Sequence, residues 1–242
     1  MGGIAIVALM AGLMLVPWAG AATYAEDPFP DVAASYLIKI NEKAVWKHLP
    51  DRRLPPASLT KIMTALLALE SGRLRETAVV SREAALETGA RIGLKAGDRI
   101  GAAELLAATL LGSANDAAHA LAEHIDGTEA SFVRRMNIKA SALGMRDTRF
   151  VNATGHHHSG HYSTANDLAL MAEAALAEPR FARLAAIVRL DIQTTDGSRS
   201  FRLENRNEML GQLRETAIIG VRRPCGKAWS VFPRKKRGRT II

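Results

Sequence analysis

The stretch PPASLTKIMTALLALE, residues 55–70, places Ser58 and Lys61 three positions apart at the start of a segment that is otherwise largely apolar. Two prolines precede the pair, and Gly72 follows the segment where a left-handed helix cap is expected. The stretch therefore predicts a buried helix from about Ser58 to Glu70. Because residues three apart share one face of a helix, the Lys61 amine can reach the Ser58 hydroxyl.

This pairing suits a serine nucleophile with a lysine base. A hydroxyl is a weak nucleophile until a neighbouring base takes its proton, and a lysine is a base only when neutral. Apolar surroundings disfavour the ammonium form and lower the ordinary lysine pKa of about 10.4. At a helix start, backbone N–H groups also lie where an oxyanion would form. The same pattern occurs by chance in helices, with Ser58 as an N-cap and Lys61 extending to solvent.

The rest of the chain contains strands, then helices, then strands. Strands are expected at 34–40 and 43–47, with a turn at Asn41-Glu42 between them. Further helices are expected at 101–112, 115–126, 128–143 and from Thr164 to just before Pro179. Asp196-Gly197 between two alternating runs indicates a β-hairpin. This order predicts an α+β fold, with an antiparallel sheet that takes strands from both chain ends and a mostly helical lobe.

A second polar motif lies in LLGSANDAAHAL, where Ser113-Ala114-Asn115 falls between two predicted helices. In such a corner the hydroxyl can relay a proton to a leaving amine, and the amide can bind a substrate peptide group. The alternative is a plain helix–helix turn with Asn115 or Asp116 as the cap. Ser-x-x-Lys followed by a serine–asparagine motif is typical of penicillin-binding proteins and class A β-lactamases.

Over roughly residues 28–212 the chain resembles the serine D-alanyl-D-alanine carboxypeptidases, the low-molecular-mass penicillin-binding proteins of bacteria. Four segments carry the resemblance, in order: PPASLTKIMTALLALE, LLGSANDAAHALAE, ALGMRDTRFVNATG and GHYSTANDLALMA. The resemblance implies a β-lactamase/transpeptidase-like fold. It implies that Ser58 is the acyl-ester nucleophile and Lys61 its general base. It also implies that Ser113 relays a proton and that Asn115 contacts the substrate.

The implied reaction is removal of the terminal D-alanine from a peptidoglycan stem peptide, through an acyl-enzyme that water hydrolyses. The implied partners are peptidoglycan stem peptides and, as inhibitors, β-lactam antibiotics. No cofactor is expected.

The family's third motif, Lys-Thr-Gly, is missing after NRNEMLG, where the chain reads AIIGVRRPCGKAWSVFPRKKRGRTII. Gly220-Val221-Arg222 occupies its place, and Lys227 also lacks the Thr-Gly context. Loss of one oxyanion donor costs roughly 3 kcal/mol, or about a hundredfold in rate. The motif's lysine also helps to keep the base neutral by like-charge repulsion. One hypothesis is a shift of reading frame after about Gln212, which resequencing of the gene tests.

Three functions therefore remain open. The first is a serine carboxypeptidase whose activity the lost motif impairs. The second is a β-lactamase or peptidoglycan endopeptidase on the same scaffold. The third is a non-catalytic remnant that binds peptidoglycan.

The N-terminal segment predicts export. Residues 1–25 carry no charge, and the apolar run IAIVALMAGLMLV is followed by Ala19-Gly20-Ala21, a pattern that a signal peptidase accepts. The alternative is an uncleaved anchor in the inner membrane, which takes roughly 20 apolar residues. Both place the protein in the periplasm or on the extracytoplasmic face of the membrane. We therefore divide the chain into a signal segment at 1–25, a catalytic domain at 26–212 and a degenerate, basic end at 213–242.

The net charge of +8 matches the eight basic residues from Arg222 to Ile242, a stretch that has no acidic residue. The remaining chain is neutral, so no nucleic-acid partner is expected. Cys225 is the only cysteine, which excludes an internal disulfide. The loop GHHHSGHYS carries His156, His157, His158 and His161. Zinc is one alternative for this loop, but adjacent histidines point in different directions, so we expect a solvated loop and no metal site.

Overall fold

The computed structural model of the chain describes residues 33–40 and 43–207, and the backbone of four short strands between 219 and 241. The predicted export segment at 1–25, the boundary near Gln212 and the altered third motif around Arg222 and Lys227 lie outside the described residues. Within the part that is described, no helix combines the length and the hydrophobicity needed to cross a bilayer.

An antiparallel sheet joins the two ends of the chain, as predicted. Its strand order is β2-β1-β10-β9. The strands are β1 Tyr36–Ile40, β2 Lys43–His48, β9 Arg234–Lys236 and β10 Arg239–Ile241. Ile40 of β1 pairs with Ile241 of β10. The predicted hairpin at the start of the chain is therefore confirmed, and so is the sheet that strands from both ends build.

Seven helices lie within the described residues and form the helical lobe. They are α1 Thr60–Glu70, α2 Arg82–Ala85, α3 Ala102–Leu111, α4 Asn115–Asp126, α5 Glu129–Ala142, α6 Ala165–Ala177 and α7 Pro179–Ala185. Helices α1 and α3 to α6 occupy the predicted segments. The sequence does not predict α7, because a proline after a helical pattern indicates the end of a helix. A proline also starts a helix well, since the first turn does not need its N–H.

Helix α1 is the centre of the core and packs against α3, α4, α5, α6 and α7. Every residue from Thr60 to Leu69 is buried, and only Glu70 of this helix is exposed. A helix that is apolar on nearly all sides is stable only when it is surrounded, and burying one leucine or isoleucine contributes about 1.5–3 kcal/mol. As a consequence, Lys61 is carried into the interior with its apolar neighbours.

Three two-stranded ribbons complete the described structure. They are β3 Thr77–Val79 with β4 Arg99–Gly101, β5 Arg189–Gln193 with β6 Ser200–Glu204, and β7 Ile219–Gly220 with β8 Ser230–Val231. The β5–β6 ribbon confirms the hairpin predicted from Asp196-Gly197, where Gly197 has a φ of +70°. The β3–β4 ribbon was not predicted, because strands of three residues are too short to show an alternating pattern.

Candidate active site

Ser58 lies in a short 3₁₀ turn, Ala57–Leu59, that leads directly into α1. Ala57 has a φ of +50°, and Gly155 packs on its carbonyl group with a φ of +83°. A Cβ atom on Gly155 would lie 1.9 Å from the Ala57 oxygen, so only glycine allows this approach. The segment around Gly155 thus supports the turn that places a half-buried serine at the head of a buried helix.

Lys61 is 2% exposed, and its Nζ atom has two acceptors. It donates to Asn115 Oδ1 at 2.7 Å and to the Thr154 carbonyl oxygen at 2.6 Å. A neutral amine has two hydrogens and one lone pair, so these acceptors match its two hydrogens and leave the lone pair available. In this arrangement the amine is both held in place and able to accept a proton.

Burial is the main cause that lowers the pKa of Lys61, from 10.5 to about 7. The negative charges of Glu87 and Asp116 raise this pKa, and the positive charge of Arg206 lowers it. Arg206 therefore acts in the direction that the family resemblance assigns to the third-motif lysine. A lysine with a pKa near 7 is substantially neutral at neutral pH and can serve as a base.

Asn115 is the first residue of α4, and its side chain is fixed from two sides. The amide oxygen accepts from Lys61, while Nδ2 donates to the Thr88 carbonyl oxygen at 2.6 Å. The backbone N–H of Asn115 donates to the Ala90 carbonyl oxygen at 2.7 Å. Asn115, which the family resemblance predicts to contact the substrate, is thus also the side chain that orients Lys61.

Ser113 lies in the corner between α3 and α4, with a left-handed φ of +54°. Such a backbone conformation is uncommon for a serine, and strained residues of this kind cluster at active sites. The N-cap position of α4 belongs to Ala114, not to Asn115 or Asp116 as the alternative has it, although Asp116 Oδ1 accepts the N–H of Ala117 in the first turn at 2.9 Å. Asp116 instead accepts the backbone N–H groups of residues 92–94 and anchors that loop to the corner.

Of the four predicted site residues, Lys61 and Asn115 are in direct contact. The hydroxyls of Ser58 and Ser113 are half-buried, and neither makes a hydrogen bond with another residue of the described ranges. Ser58 lies three residues before Lys61, in the 3₁₀ turn that leads into α1. Hydrogen bonds of a catalytic serine commonly tighten only when the substrate binds.

The prediction that GHHHSGHYS is a solvated loop is wrong for two of its four histidines. His157 and His158 are exposed as expected. His161 is 3% exposed, lies 3.0 Å from Thr60 Oγ1, and has a pKa that burial and then His158 lower to about 4. His156 contacts Glu87, with 3.0 Å between Nδ1 and Oε2. The ring of His161 packs edge-on against Phe150, so an apolar pocket rather than solvent receives it.

Two further groups at the site were not predicted, the Thr154 carbonyl and Glu87. Thr154 belongs to the VNATG segment, which the sequence analysis used only for the family resemblance. The Thr64 hydroxyl binds the adjacent Ala153 carbonyl oxygen at 2.7 Å and ties this segment to α1. Glu87 also approaches His119 and Glu129, which makes these three residues the group best able to hold a metal ion within the described ranges.

Comparisons with known proteins agree with this geometry. The family model of the D-alanyl-D-alanine carboxypeptidases (peptidase family S11) matches residues 23–220. D-alanyl-D-alanine carboxypeptidase DacF of Bacillus subtilis (strain 168) is 38% identical over 177 residues, which cover 68% of this chain and 46% of that protein. A D-alanyl-D-alanine endopeptidase of Escherichia coli (strain K12) is 34% identical over 169 residues, or 67% of this chain and 54% of that protein. The chain therefore spans about half the length of these curated relatives.

The solved structure of a D-alanyl-D-alanine carboxypeptidase from Mycobacterium tuberculosis H37Rv is similar, with a TM-score of 0.79 and 27% identity. The match covers 86% of this chain and 80% of that one. The fold is thus the penicillin-binding, β-lactamase-like fold that the sequence predicted. With the family model matching most of its length, the chain belongs to the D-alanyl-D-alanine carboxypeptidase family.

Proposed function

We propose that the protein is a serine D-Ala-D-Ala carboxypeptidase that acts on peptidoglycan stem peptides. One observation carries the proposal. Lys61 is almost fully buried, its pKa is lowered to about 7, and it lies one turn after a serine at the head of the core helix. A buried lysine without a catalytic task would be a costly feature of a core, because the ammonium form is penalised there.

In the proposed reaction, Lys61 Nζ takes the proton of Ser58 Oγ as that oxygen attacks the carbonyl carbon between the two D-alanines. Backbone N–H groups at the head of α1 stabilise the resulting oxyanion. The carbon–nitrogen bond then breaks as Ser113 passes its proton to the departing D-alanine amine and takes a proton from Lys61, which becomes neutral again. Water attacks the remaining ester, gives its proton to Lys61 and releases Ser58, which recovers its proton from Lys61.

Asn115 has two tasks in this proposal. Its Oδ1 atom holds the Lys61 amine at 2.7 Å, and the family resemblance implies that its amide contacts the substrate peptide. In the sequence, Arg222 occupies the position of the third-motif lysine, and the Thr-Gly of that motif is missing. Without the Thr-Gly of that motif, we expect acylation to be slowed by about a hundredfold relative to a complete site.

A second candidate function is a peptidoglycan endopeptidase, which the same chemistry supports. The similarity to a D-alanyl-D-alanine endopeptidase of Escherichia coli favours it. In an endopeptidase the leaving amine belongs to a cross-linked peptide rather than to free D-alanine. The two candidates differ only in what the leaving-group side of the site accommodates.

Incubation of the protein with a labelled penicillin tests the acylation step. We expect a covalent adduct at Ser58 that is lost in Ser58→Ala and kept in Ser159→Ala, which removes an exposed serine of the histidine loop. Rapid release of the label would indicate a β-lactamase. Failure of the native protein to form any adduct would overturn the proposal in favour of a non-catalytic peptidoglycan-binding protein. Release of D-alanine from a linear or a cross-linked muropeptide then separates carboxypeptidase from endopeptidase.

We further propose that residues 1–25 direct export, so that the protein acts in the periplasm or on the outer face of the inner membrane. Support comes from the uncharged, apolar character of this segment and the small residues at Ala19-Gly20-Ala21. N-terminal sequencing of the protein from fractionated cells tests it. A start just after Ala21 indicates a cleaved signal, and an intact start in the membrane fraction indicates an anchor. An intact start in the cytoplasmic fraction would refute export.

A further inference from the structure

Beside the serine–lysine site, one imidazole nitrogen and two carboxylate oxygens lie within 4.8 Å of one another. They belong to Glu87, just after α2, to His119 on α4 and to Glu129, the first residue of α5. Zinc sites commonly draw nitrogen and oxygen ligands from separate elements in this way. We propose that Glu87, His119 and Glu129 form a Zn²⁺ site that joins these three helices.

The distances suit a tetrahedral ion after a small adjustment. His119 Nδ1 lies 2.7 Å from Glu87 Oε1 and 3.9 Å from Glu129 Oε2. Two ligand atoms bound to zinc at 2.0–2.2 Å in tetrahedral geometry are about 3.4 Å apart. The two distances bracket this value, so the Glu87 oxygen needs to move away from the imidazole by about 0.7 Å and the Glu129 oxygen to approach it by about 0.5 Å. Solvent can fill the fourth position, since the three side chains are 12–24% exposed.

The second nitrogen of His119 also has the partner that a zinc ligand requires. His119 Nε2 lies 3.5 Å from Glu123 Oε1, one turn later on α4. An imidazole bound to zinc through one nitrogen usually donates the N–H of the other to a carboxylate, which fixes its orientation. The other oxygen of Glu123 is buried and has no hydrogen-bond partner within the described ranges. Glu123 is thus available as the carboxylate that orients His119.

Both carboxylate ligands are likewise oriented by second contacts. The other oxygen of Glu129 accepts the backbone N–H of Ala153 at 2.9 Å. The other oxygen of Glu87 lies 3.0 Å from His156 Nδ1. Each proposed ligand therefore presents one atom to the ion while a neighbour holds the rest of its polar group.

The charge of the cluster also favours a divalent cation. Three carboxylates, from Glu87, Glu123 and Glu129, surround one imidazole, and all their ion pairs within the described part of the chain are with histidines. The three carboxylates share a half-buried site without a lysine or arginine partner in the described part of the chain. Repulsion among buried like charges is costly, and a bound Zn²⁺ removes most of it.

Zinc titration of the full chain tests the site. The protein is freed of metal with a chelator, carries Cys225→Ser to remove the only thiol, and is titrated with zinc chloride by calorimetry. We expect one zinc per chain and a melting temperature that rises with zinc concentration. His119→Ala and Glu129→Gln should weaken binding by at least about a hundredfold, and Glu123→Gln by about 10- to 100-fold.

The matched control is the double variant His157→Ala and His158→Ala, which removes the two exposed histidines of the loop and should bind zinc like its parent. Binding lost in this control but kept in His119→Ala would overturn the proposal, as would a parent protein that binds no zinc. Should His119→Ala not fold, Glu129→Gln and Glu123→Gln decide, since they preserve side-chain size. If both variants bind zinc with the affinity of the parent protein, the site is refuted.

Discussion

The buried lysine predicts that the stability of the protein rises with pH in a way that a single substitution removes. The pKa of Lys61 falls from 10.5 to about 7 on folding. At about 1.36 kcal/mol per pH unit, burial of this lysine lowers the free energy of unfolding by about 5 kcal/mol at pH values below 7. The unfolded chain binds the extra proton between pH 7 and 10.5, so the free energy of unfolding increases with pH across that window.

The perturbation is Lys61→Met, which keeps an unbranched chain in the core and removes the titrating amine. It leaves Asn115 Oδ1 and the Thr154 carbonyl oxygen without their donor, at a cost of about 1–3 kcal/mol each that does not depend on pH. The absolute stability of Lys61→Met therefore combines the gain from removing the buried amine with the loss from the two unpaired acceptors. The change of stability with pH reports only the titration of Lys61.

Urea unfolding at about pH 7.5 and pH 9.5 measures that slope. Over these two pH units, the native protein should gain about 3 kcal/mol relative to Lys61→Met. Lys139→Met, which removes a surface lysine paired with Glu70, controls for the loss of a lysine as such. Parallel pH profiles for the native protein and Lys61→Met would refute the claim that folding strips the proton from this amine.

Three further outcomes follow from the site. Acylation by labelled penicillin should fall as pH drops below about 7, where Lys61 becomes protonated. Lys61→Arg should abolish acylation at every pH, because a guanidinium stays charged. A native acylation rate that does not change with pH would contradict the assignment of Lys61 as the base. Glu87→Gln, assayed with chelator present, should move the midpoint of that profile to lower pH, because the Glu87 charge raises the pKa of Lys61; a midpoint that stays or rises would contradict this. Gly155→Ala should lower both the melting temperature and the acylation rate, since its Cβ would lie 1.9 Å from the Ala57 oxygen. In Gly72→Ala the added Cβ meets open space, so this control should lose only about 1 kcal/mol of stability. Equal losses in the two variants would refute the close approach of Gly155 to Ala57.

Local patterns predicted most of the helices and the two longest hairpins. The apolar spacing in α1 and the turn chemistry at Asp196-Gly197 act over a few neighbouring residues, and the fold preserves them. The β3–β4 ribbon escaped prediction because its strands pair residues about twenty positions apart and each is only three residues long. Helix α7 was missed because Pro179 both ends one helix and begins the next.

The partners of Lys61 show where local patterns end. Asn115 was predicted from a family motif, but its bond to Lys61 joins residues 54 positions apart, and the bond to Thr154 spans 93. The same holds for His161, which is buried in the core although its sequence neighbours are typical of an exposed loop. Contacts between residues so far apart in the sequence produce no periodic pattern, because they depend on how whole helices pack.

The amino-acid sequence by itself determined the core helix, the spacing that puts Ser58 and Lys61 on one side of it, and membership of a known family. Those features depend on backbone periodicity and on short motifs, which are written in neighbouring residues. Only the tertiary structure decided how far Lys61 is buried, which two oxygens accept its hydrogens, and that Glu87, His119 and Glu129 approach one another. Desolvation and electrostatic interaction depend on distance in space, and packing α1, α4 and the Thr154 segment together sets those distances.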